Sequence, residues 1–277
     1  MRKILIYILA IIFICIIIPV ICTKKFKTNQ TIAEAEKQME IVEKYDYSQI
    51  STIKLLHTKT NEIEEVSLDE YICNVIAAEM PINFEMEALK AQSVVARTYT
   101  VYKISKDNSK HENADICDSA SCCQAWISKE DRYAKWNPDE ADDNWNKIVK
   151  VVNETIGQII TYNGEAINAV FHSNSGGKTE IASNVWSGGD YPYLQSVETT
   201  GEETYTQYES EVILTKNQLK EKLLASYKDF SINFDEEDAI KVLEYTDSGR
   251  VKTIKLGNKN IARSGTPNLN RIKISKF

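Results

Sequence analysis

Apolar residues fill the start of the chain without a break: Ile4 to Cys22 is a run of 19 residues that carries no charge and is interrupted only by Tyr7 and Pro19. A helix of that length crosses the hydrocarbon core of a bilayer. The run ends Pro19-Val20-Ile21-Cys22-Thr23, without the small-x-small pattern of a cleavage site, so an uncleaved membrane anchor over residues 1–22 is expected. No small residues precede Cys22 in the manner of a lipid-modified cysteine. Arg2 and Lys3 on one side face Lys24, Lys25 and Lys27 on the other, so the flanking charges orient the anchor only weakly. Residues 23–50 are polar, with Thr31 and Glu34 spaced as a capping box and Ile32, Ala35, Met39 and Val42 on one face. They predict a juxtamembrane stalk with a short helix.

From residue 51 the period of the pattern changes repeatedly. Thr52 to Leu56 and Ile63 to Val66 flank a polar Thr60-Asn61 turn and predict a β-hairpin. Ser67 and Glu70 then form a capping box, with Leu68, Ile72, Val75 and Ile76 as the apolar stripe of a helix that Pro81 stops. A second helix, from Asn83 towards Lys103, offers Ala88, Leu89, Ala91, Val95, Ala96 and Tyr99 as a tightly packable face. Gln158 to Tyr162 and Ala166 to Phe171 flank Asn163-Gly164, whose positive φ angles suit a type I′ hairpin. A late helix at Thr215 to Leu224 and a terminal hairpin, Ile240 to Tyr245 with Val251 to Leu256, complete the reading. The expected fold is α+β: one N-terminal transmembrane helix, then an extracytoplasmic mixed α+β domain over residues 51–277, arranged as two lobes around a substrate groove.

The net charge of −7 disfavours nucleic acid, whose phosphates demand clustered Lys and Arg. Of six cysteines, Cys15 and Cys22 lie in the anchor and Cys73 in a helix, which leaves Cys117, Cys122 and Cys123. An odd number argues against a disulfide framework. His111, Cys117 and Cys123, spaced six residues apart, are candidate zinc ligands, with Cys122 as a competing thiol. Three ligands would leave an open position, but HExxH and Cys-x-x-Cys are both absent, so a structural metal is favoured over a catalytic one. A disulfide from Cys117 to Cys122 or Cys123 is the alternative.

Glu79 is the most informative carboxylate, because it ends an apolar helix in Ala77-Ala78-Glu79-Met80-Pro81. The negative pole of the helix and burial both favour its protonated form, as a glycosidic proton donor requires. An ordinary solvated helix-end residue is the competing reading. Lys90 and Arg97, seven positions apart on one face of the second helix, can hold a sugar carboxylate or N-acetyl oxygen or else form an exposed basic edge. The stretch Phe171 to Glu180 is a glycine turn dense in hydroxyls, suited to sugar recognition or to a plain loop. It is not a phosphate loop, since His172 stands where the earlier glycine is required.

Taken together, residues 67–81, residues 87–99, the segment Gly157 to Gly164, residues 171–180, Val185-Trp186 and Tyr191-Pro192-Tyr193-Leu194 resemble the two motif blocks of the stage II sporulation protein D family, in order. The resemblance covers most of residues 60–200. It implies a lytic transglycosylase of the engulfing mother-cell membrane that cuts the MurNAc-GlcNAc linkage of peptidoglycan, with Glu79 as the single catalytic acid/base. It places Lys90, Arg97, Ser173, Ser175, Gly176, Gly177, Lys178 and Glu180 at the substrate. The implied substrate is a peptide-stripped glycan strand, and the implied partners are the amidase-endopeptidase stage II sporulation protein P and the scaffold stage II sporulation protein M. The chemistry requires no cofactor. The same domain occurs in amidase enhancers, so a wall-binding protein without catalysis is the alternative. The Cys/His segment lies outside the motif core, and residues 261–277 follow the family's tail only loosely.

Overall fold

The computed structural model describes residues 50–106, 110–186, 189–205 and 211–262. The expected anchor, the stalk and residues 263–277 lie outside the described residues, among which no helix is long and apolar enough to cross a membrane. The chain divides into two compact units between Val170 and Phe171.

The first unit opens with β1 (Thr52–His57) and β2 (Glu62–Ser67), paired antiparallel across a turn in which Asn61 takes a φ of 61°. Ile53 and Leu55 alternate into the core, as the period of a half-buried strand demands. Ser67 ends β2 and caps α1 (Leu68–Glu79), its hydroxyl accepting from the Glu70 N–H at 3.2 Å. Tyr71, Ile72, Val75 and Ile76 are all but fully buried, and each contributes about 1.5–3 kcal/mol as an upper estimate. Met80 is extended (φ −115°, ψ 134°), as the residue before Pro81 must be, so the helix stops on Glu79.

Helix α2 (Met86–Ser105) packs against α1. Three elements that the hydrophobic pattern did not announce follow it: β3 (Ile116–Cys117), α3 (Lys129–Tyr133) and α4 (Ala141–Glu154). β3 lies parallel to β1, with Leu55 opposite Ile116 and Leu56 opposite Cys117, and gives the order β2-β1-β3. α4 buries Trp145, Ile148, Val151 and Val152 against α1 and α2, so three helices share one core beside the small sheet. The hairpin around Asn163 and Gly164 has the expected positive φ angles, 53° and 80°, but its ladder is short: β4 (Thr161–Tyr162) and β5 (Glu165–Ala166). The Ile160 N–H is already engaged, donating to the Thr98 hydroxyl of α2 at 2.9 Å. That bond turns the incoming strand towards the helix.

The second unit contains α5 (Lys216–Ser226), started by a complete capping box between Thr215 and Gln218, and a meander of β6 (Ile240–Tyr245), β7 (Val251–Leu256) and β8 (Lys259–Ala262). β8 was not anticipated. Gly257, in the turn before it, has a φ of 52°, and a Cβ there would lie 2.0 Å from the Ser231 carbonyl oxygen. Among the described residues the buried apolar side chains of this unit are few, Phe230, Ala239 and Val251 with Ala182, and much of its interior is polar.

Candidate active site and metal centre

Glu79 sits where the buried face of α1 runs out, and its side chain is part-exposed. Its Oε1 accepts a 2.7 Å hydrogen bond from the Ala125 backbone N–H, a contact across 46 residues of sequence. An oxygen that accepts from an amide presents a lone pair there, so Oε1 is directed at the Ala125 backbone. The carboxyl group is thereby oriented by the backbone of a single segment, residues 122–127.

Each residue of that segment is fastened. The Cys122 and Cys123 sulfurs lie 3.5 and 3.6 Å from His111 Nε2. Gln124 is 1% exposed, and its amide donates to Thr100 Oγ1 at 3.1 Å and to the Tyr71 hydroxyl at 3.3 Å. After Ala125, the Trp126 ring meets the His57 ring edge-on at 5.2 Å, and the Ile127 carbonyl accepts from the buried Asn74 amide at 2.8 Å.

His111, Cys117, Cys122 and Cys123 offer four donor atoms that all lie within 4.8 Å of one another. A tetrahedral zinc site with ordinary bond lengths has S···S edges of about 3.8 Å and S···N edges of about 3.6 Å. The separations of 3.5 and 3.6 Å to His111 and of 4.0 Å between the Cys122 and Cys123 sulfurs match that figure, so the donor set fits zinc in chemistry and in size. Cys122 therefore joins His111, Cys117 and Cys123 as a fourth donor. Four protein donors would close the coordination shell of a bound zinc and leave no position for a reactive water. All the described cysteines are free, and Cys117 is fully buried. Burial pushes the Cys123 thiol up to about 12 and raises Cys117 as well. A divalent cation reverses that preference by binding the thiolates and displacing their protons.

Lys90 and Arg97 both point at the end of α4. Lys90 Nζ lies 2.8 Å from Glu154 and 2.8 Å from Glu87, and the Glu154 bond, then the Glu87 bond, raise its pKa. Arg97 is fully buried. Its guanidinium donates to Asp69 Oδ1 at 3.3 Å, to Thr155 Oγ1 at 3.4 Å and to the Val152 carbonyl at 3.4 Å, among the last carbonyls of α4, where a cation is favoured. Arg97, expected at the substrate, ties α2 to α1 and α4 from inside.

The glycine turn belongs to the second unit. Gly176 and Gly177 have φ angles of 71° and 92°, which explains their residue type. Ser173 is exposed, and Lys178 Nζ donates to the Asp247 carbonyl at 3.2 Å. Ser175 and Glu180, expected at the substrate, face inward. Glu202, which sequence reasoning passed over, accepts from the Ser175 N–H (2.9 Å), the Gly177 N–H (2.8 Å), the Ser175 hydroxyl (2.7 Å) and the Thr199 hydroxyl (2.8 Å). Burial pushes its pKa up, but the bonds from Ser175, Gly177 and Thr199 outweigh this and hold it at about 2. Glu180 accepts from the Ser248 hydroxyl at 2.6 Å and from Asn184 at 2.9 Å, which together outweigh burial and lower its pKa. Arg250 closes the network by donating to Ser248 and to the Ser175 carbonyl.

Fold and site define a class: an α+β domain in which a buried helix delivers one carboxyl group against a backbone amide, beside a closed Cys/His cluster. Comparison with known proteins shows what the chain is similar to. Residues 56–162 match the family model SpoIID, Stage II sporulation protein, and in that segment the chain is similar to the stage II sporulation protein D family. It is 33% identical over 183 residues, 66% of its own length, to Stage II sporulation protein D of Bacillus amyloliquefaciens, and 30% identical over 213 residues, 76% of its length, to the protein of that name from Bacillus subtilis (strain 168). Those alignments cover 52% and 59% of the two relatives, so the chain spans little more than half the length of either. A 150-residue match at 34% identity, 54% of this chain, falls within 18% of an Amidase enhancer of Bacillus subtilis (strain 168). The chain is thus similar to sporulation proteins over much of its length and has a mixed α+β architecture.

Proposed function

We propose that this protein is a membrane-anchored lytic transglycosylase that cleaves the MurNAc-GlcNAc bond of peptide-stripped glycan strands outside the cytoplasm, with Glu79 as its only acid/base. The observation that carries the reading is the 2.7 Å bond from the Ala125 N–H to Glu79 Oε1, inside the segment that matches the family. Oε2, at the open end of α1, then serves as the proton-exchanging oxygen. In the forward step the Glu79 carboxylic acid protonates the bridging oxygen as its bond to the muramic C1 breaks. The C6 hydroxyl of the same sugar attacks C1, and the Glu79 carboxylate takes the proton that this hydroxyl releases, closing a 1,6-anhydro ring. No second carboxylate is needed, unlike hydrolysis by activated water. The nucleophile is already attached to the reacting sugar, so proximity does the work of activation.

In this reading the Cys/His cluster holds structural zinc, Lys90 is the group that the first unit offers to the glycan, and a partner amidase supplies peptide-free strands. The test is product analysis. Full-length protein incubated with peptide-free glycan strands should release chains ending in anhydro-muramic acid, seen by mass spectrometry, and Glu79→Gln should release none. Equal product from wild type and variant rejects the acid/base role. The match to an amidase enhancer favours a second reading, in which the protein binds wall and stimulates a partner hydrolase. Wall binding with no anhydro ends from either protein would select it.

A further inference from the structure

The Cys/His cluster and Glu79 are joined by a very short piece of chain. Cys122 and Cys123 are cluster donors, Gln124 is locked in the core, and the next residue, Ala125, supplies the amide that holds the Glu79 carboxylate. We infer that residues 122–127 form a metal-anchored strap and that Ala125 is a positioning residue for Glu79. The inference rests on the catalytic role proposed for Glu79, and its first half stands without it.

The geometry supports the strap in three ways. First, the Ala125 N–H projects from irregular backbone, because no helix or strand covers residues 118–128 to fix its direction. Its direction must come from ties on either side. Second, those ties are of two kinds: His111 and Cys117 on the N-terminal side through the cluster, and Thr100, Tyr71 and Asn74 through side-chain hydrogen bonds. The hydrogen bonds reach α1, the helix that also carries Glu79, and α2, which packs against it. Third, Cys117 belongs to β3, which is paired to β1, so the cluster grounds the strap on the sheet. A bound cation would add direct bonds among the four donors, whose contacts include the 3.5 and 3.6 Å approaches of the Cys122 and Cys123 sulfurs to His111 Nε2. Without it Asp118 stays bonded to Leu56 and Thr58, but residues 119–123 lose their tie to Cys117 of β3, and the amide loses its N-terminal anchor. A one-ångström displacement of a catalytic group costs about 100-fold in rate.

The prediction is specific: the metal alters the chemical step through orientation and leaves substrate binding alone. Hydrogen exchange read by mass spectrometry on the full-length protein resolves the peptide that spans Gln124 to Ile127. In zinc-loaded protein the Ala125 amide should be protected. Chelation should raise its exchange at least tenfold, zinc addition should restore it, and Glu79→Ala should raise it with the zinc content unchanged. Alongside, kcat for anhydro-product release should fall about 10- to 100-fold on chelation with KM unchanged. Incorporating lactic acid in place of Ala125 replaces the N–H by an ester oxygen and leaves the cluster intact, so it tests the amide even if the metal-free protein unfolds. The ester should retain zinc and lose kcat to the same degree. Unchanged exchange at Ala125 after zinc removal, or an ester protein with wild-type kcat, overturns the strap. If the amide responds to zinc and to Glu79→Ala as stated while wild-type protein makes no anhydro product, the strap stands and the transglycosylase reading falls.

Discussion

Replacing Glu202 by glutamine keeps the side chain's shape and removes its charge, which makes it a sensitive probe of the second unit. Its Oε2 accepts three donors, the Ser175 hydroxyl, the Gly177 N–H and the Thr199 hydroxyl, and its Oε1 accepts the Ser175 N–H. A glutamine can serve the crowded position with its one oxygen, but its NH2 then faces the Ser175 N–H, donor against donor. One lost bond to a part-buried amide costs about 1–3 kcal/mol. The three remaining bonds also lose their charge assistance, though partial exposure of the group screens that term. The expected cost is about 2–3 kcal/mol, which reads as a roughly 30- to 140-fold faster exchange of the Ser175 and Gly177 amides at pH 7 by the usual 1.4 kcal/mol per tenfold. The pH dependence has a definite sign. The folded pKa of Glu202 is depressed, to about 2 from an ordinary 4.5, so its contribution is complete above the normal glutamate range and disappears as pH falls through about 2. The gap between wild type and Glu202→Gln in urea unfolding should therefore be constant from pH 6 to 8 and shrink by roughly half at pH 3. Unchanged exchange at Ser175 and Gly177 in the variant, or a gap that stays constant down to pH 3, would refute the assignment.

Two further pairs of substitutions probe the scaffold of each unit. Arg97→Met removes three bonds from a fully buried guanidinium, while its partner Asp69 is 39% exposed and can rehydrate, so the first unit should lose about 2–3 kcal/mol in denaturant unfolding with KM for glycan unchanged. A raised KM at wild-type stability would instead return Arg97 to the substrate, and Arg97→Lys should not rescue, since an ammonium cannot serve three directions from the same depth. Gly257→Ala places a Cβ 2.0 Å from the Ser231 carbonyl oxygen at a φ of 52° and should cost more than about 3 kcal/mol in thermal unfolding of the full chain. Gly249→Ala, at a φ of 78° with nothing within 4 Å of the new carbon, should cost only about 1 kcal/mol. Equal costs would place the penalty of Gly257 in its dihedral angle alone.

Where local rules decide the structure, the chain could be read directly. Ser67, Pro81, Thr215 and the Asn163-Gly164 pair act through contacts a few residues away, and the elements they bound fall within a few residues of the pattern. β3 could not be read, because two residues make no period and Ile116-Cys117 becomes a strand only by lying beside Leu55-Leu56. α4 carries Trp145, Ile148, Val151 and Val152 at helical spacing, a legible stripe that the dense charges of residues 138–150 obscured. At the site, the spacing of His111, Cys117 and Cys123 foretold their convergence but not that Cys122, adjacent in sequence, would share it. Ala125 was beyond reach in principle. A backbone N–H leaves no mark in a sequence, and only the folded contact over 46 residues reveals which amide meets Glu79.

The inward turning of Arg97, Ser175 and Glu180 has a common cause. A charged or hydroxyl residue set in a glycine turn or on an alanine-rich helix looks available for a ligand, because a sequence shows chemical capacity without direction. In the first unit, helices rich in alanine approach closely and leave Arg97 no route to solvent, so it must find its partners on α1 and α4. In the second unit, a handful of buried apolar side chains stand beside buried Ser175, Thr246, Ser248 and Arg250. Such an interior is held by directional bonds to ionised groups, Glu202 and Glu180, and the low pKa values of both carboxylates follow from that construction. The same residue types that suggest sugar recognition are therefore engaged in fixing the turn, and any glycan contact there falls to the groups left facing outward, Ser173 and the edges of Gly176 and Gly177. Glu79 differs in kind, since only one of its two oxygens is engaged by the contacts described, and the acid/base reading depends on that asymmetry.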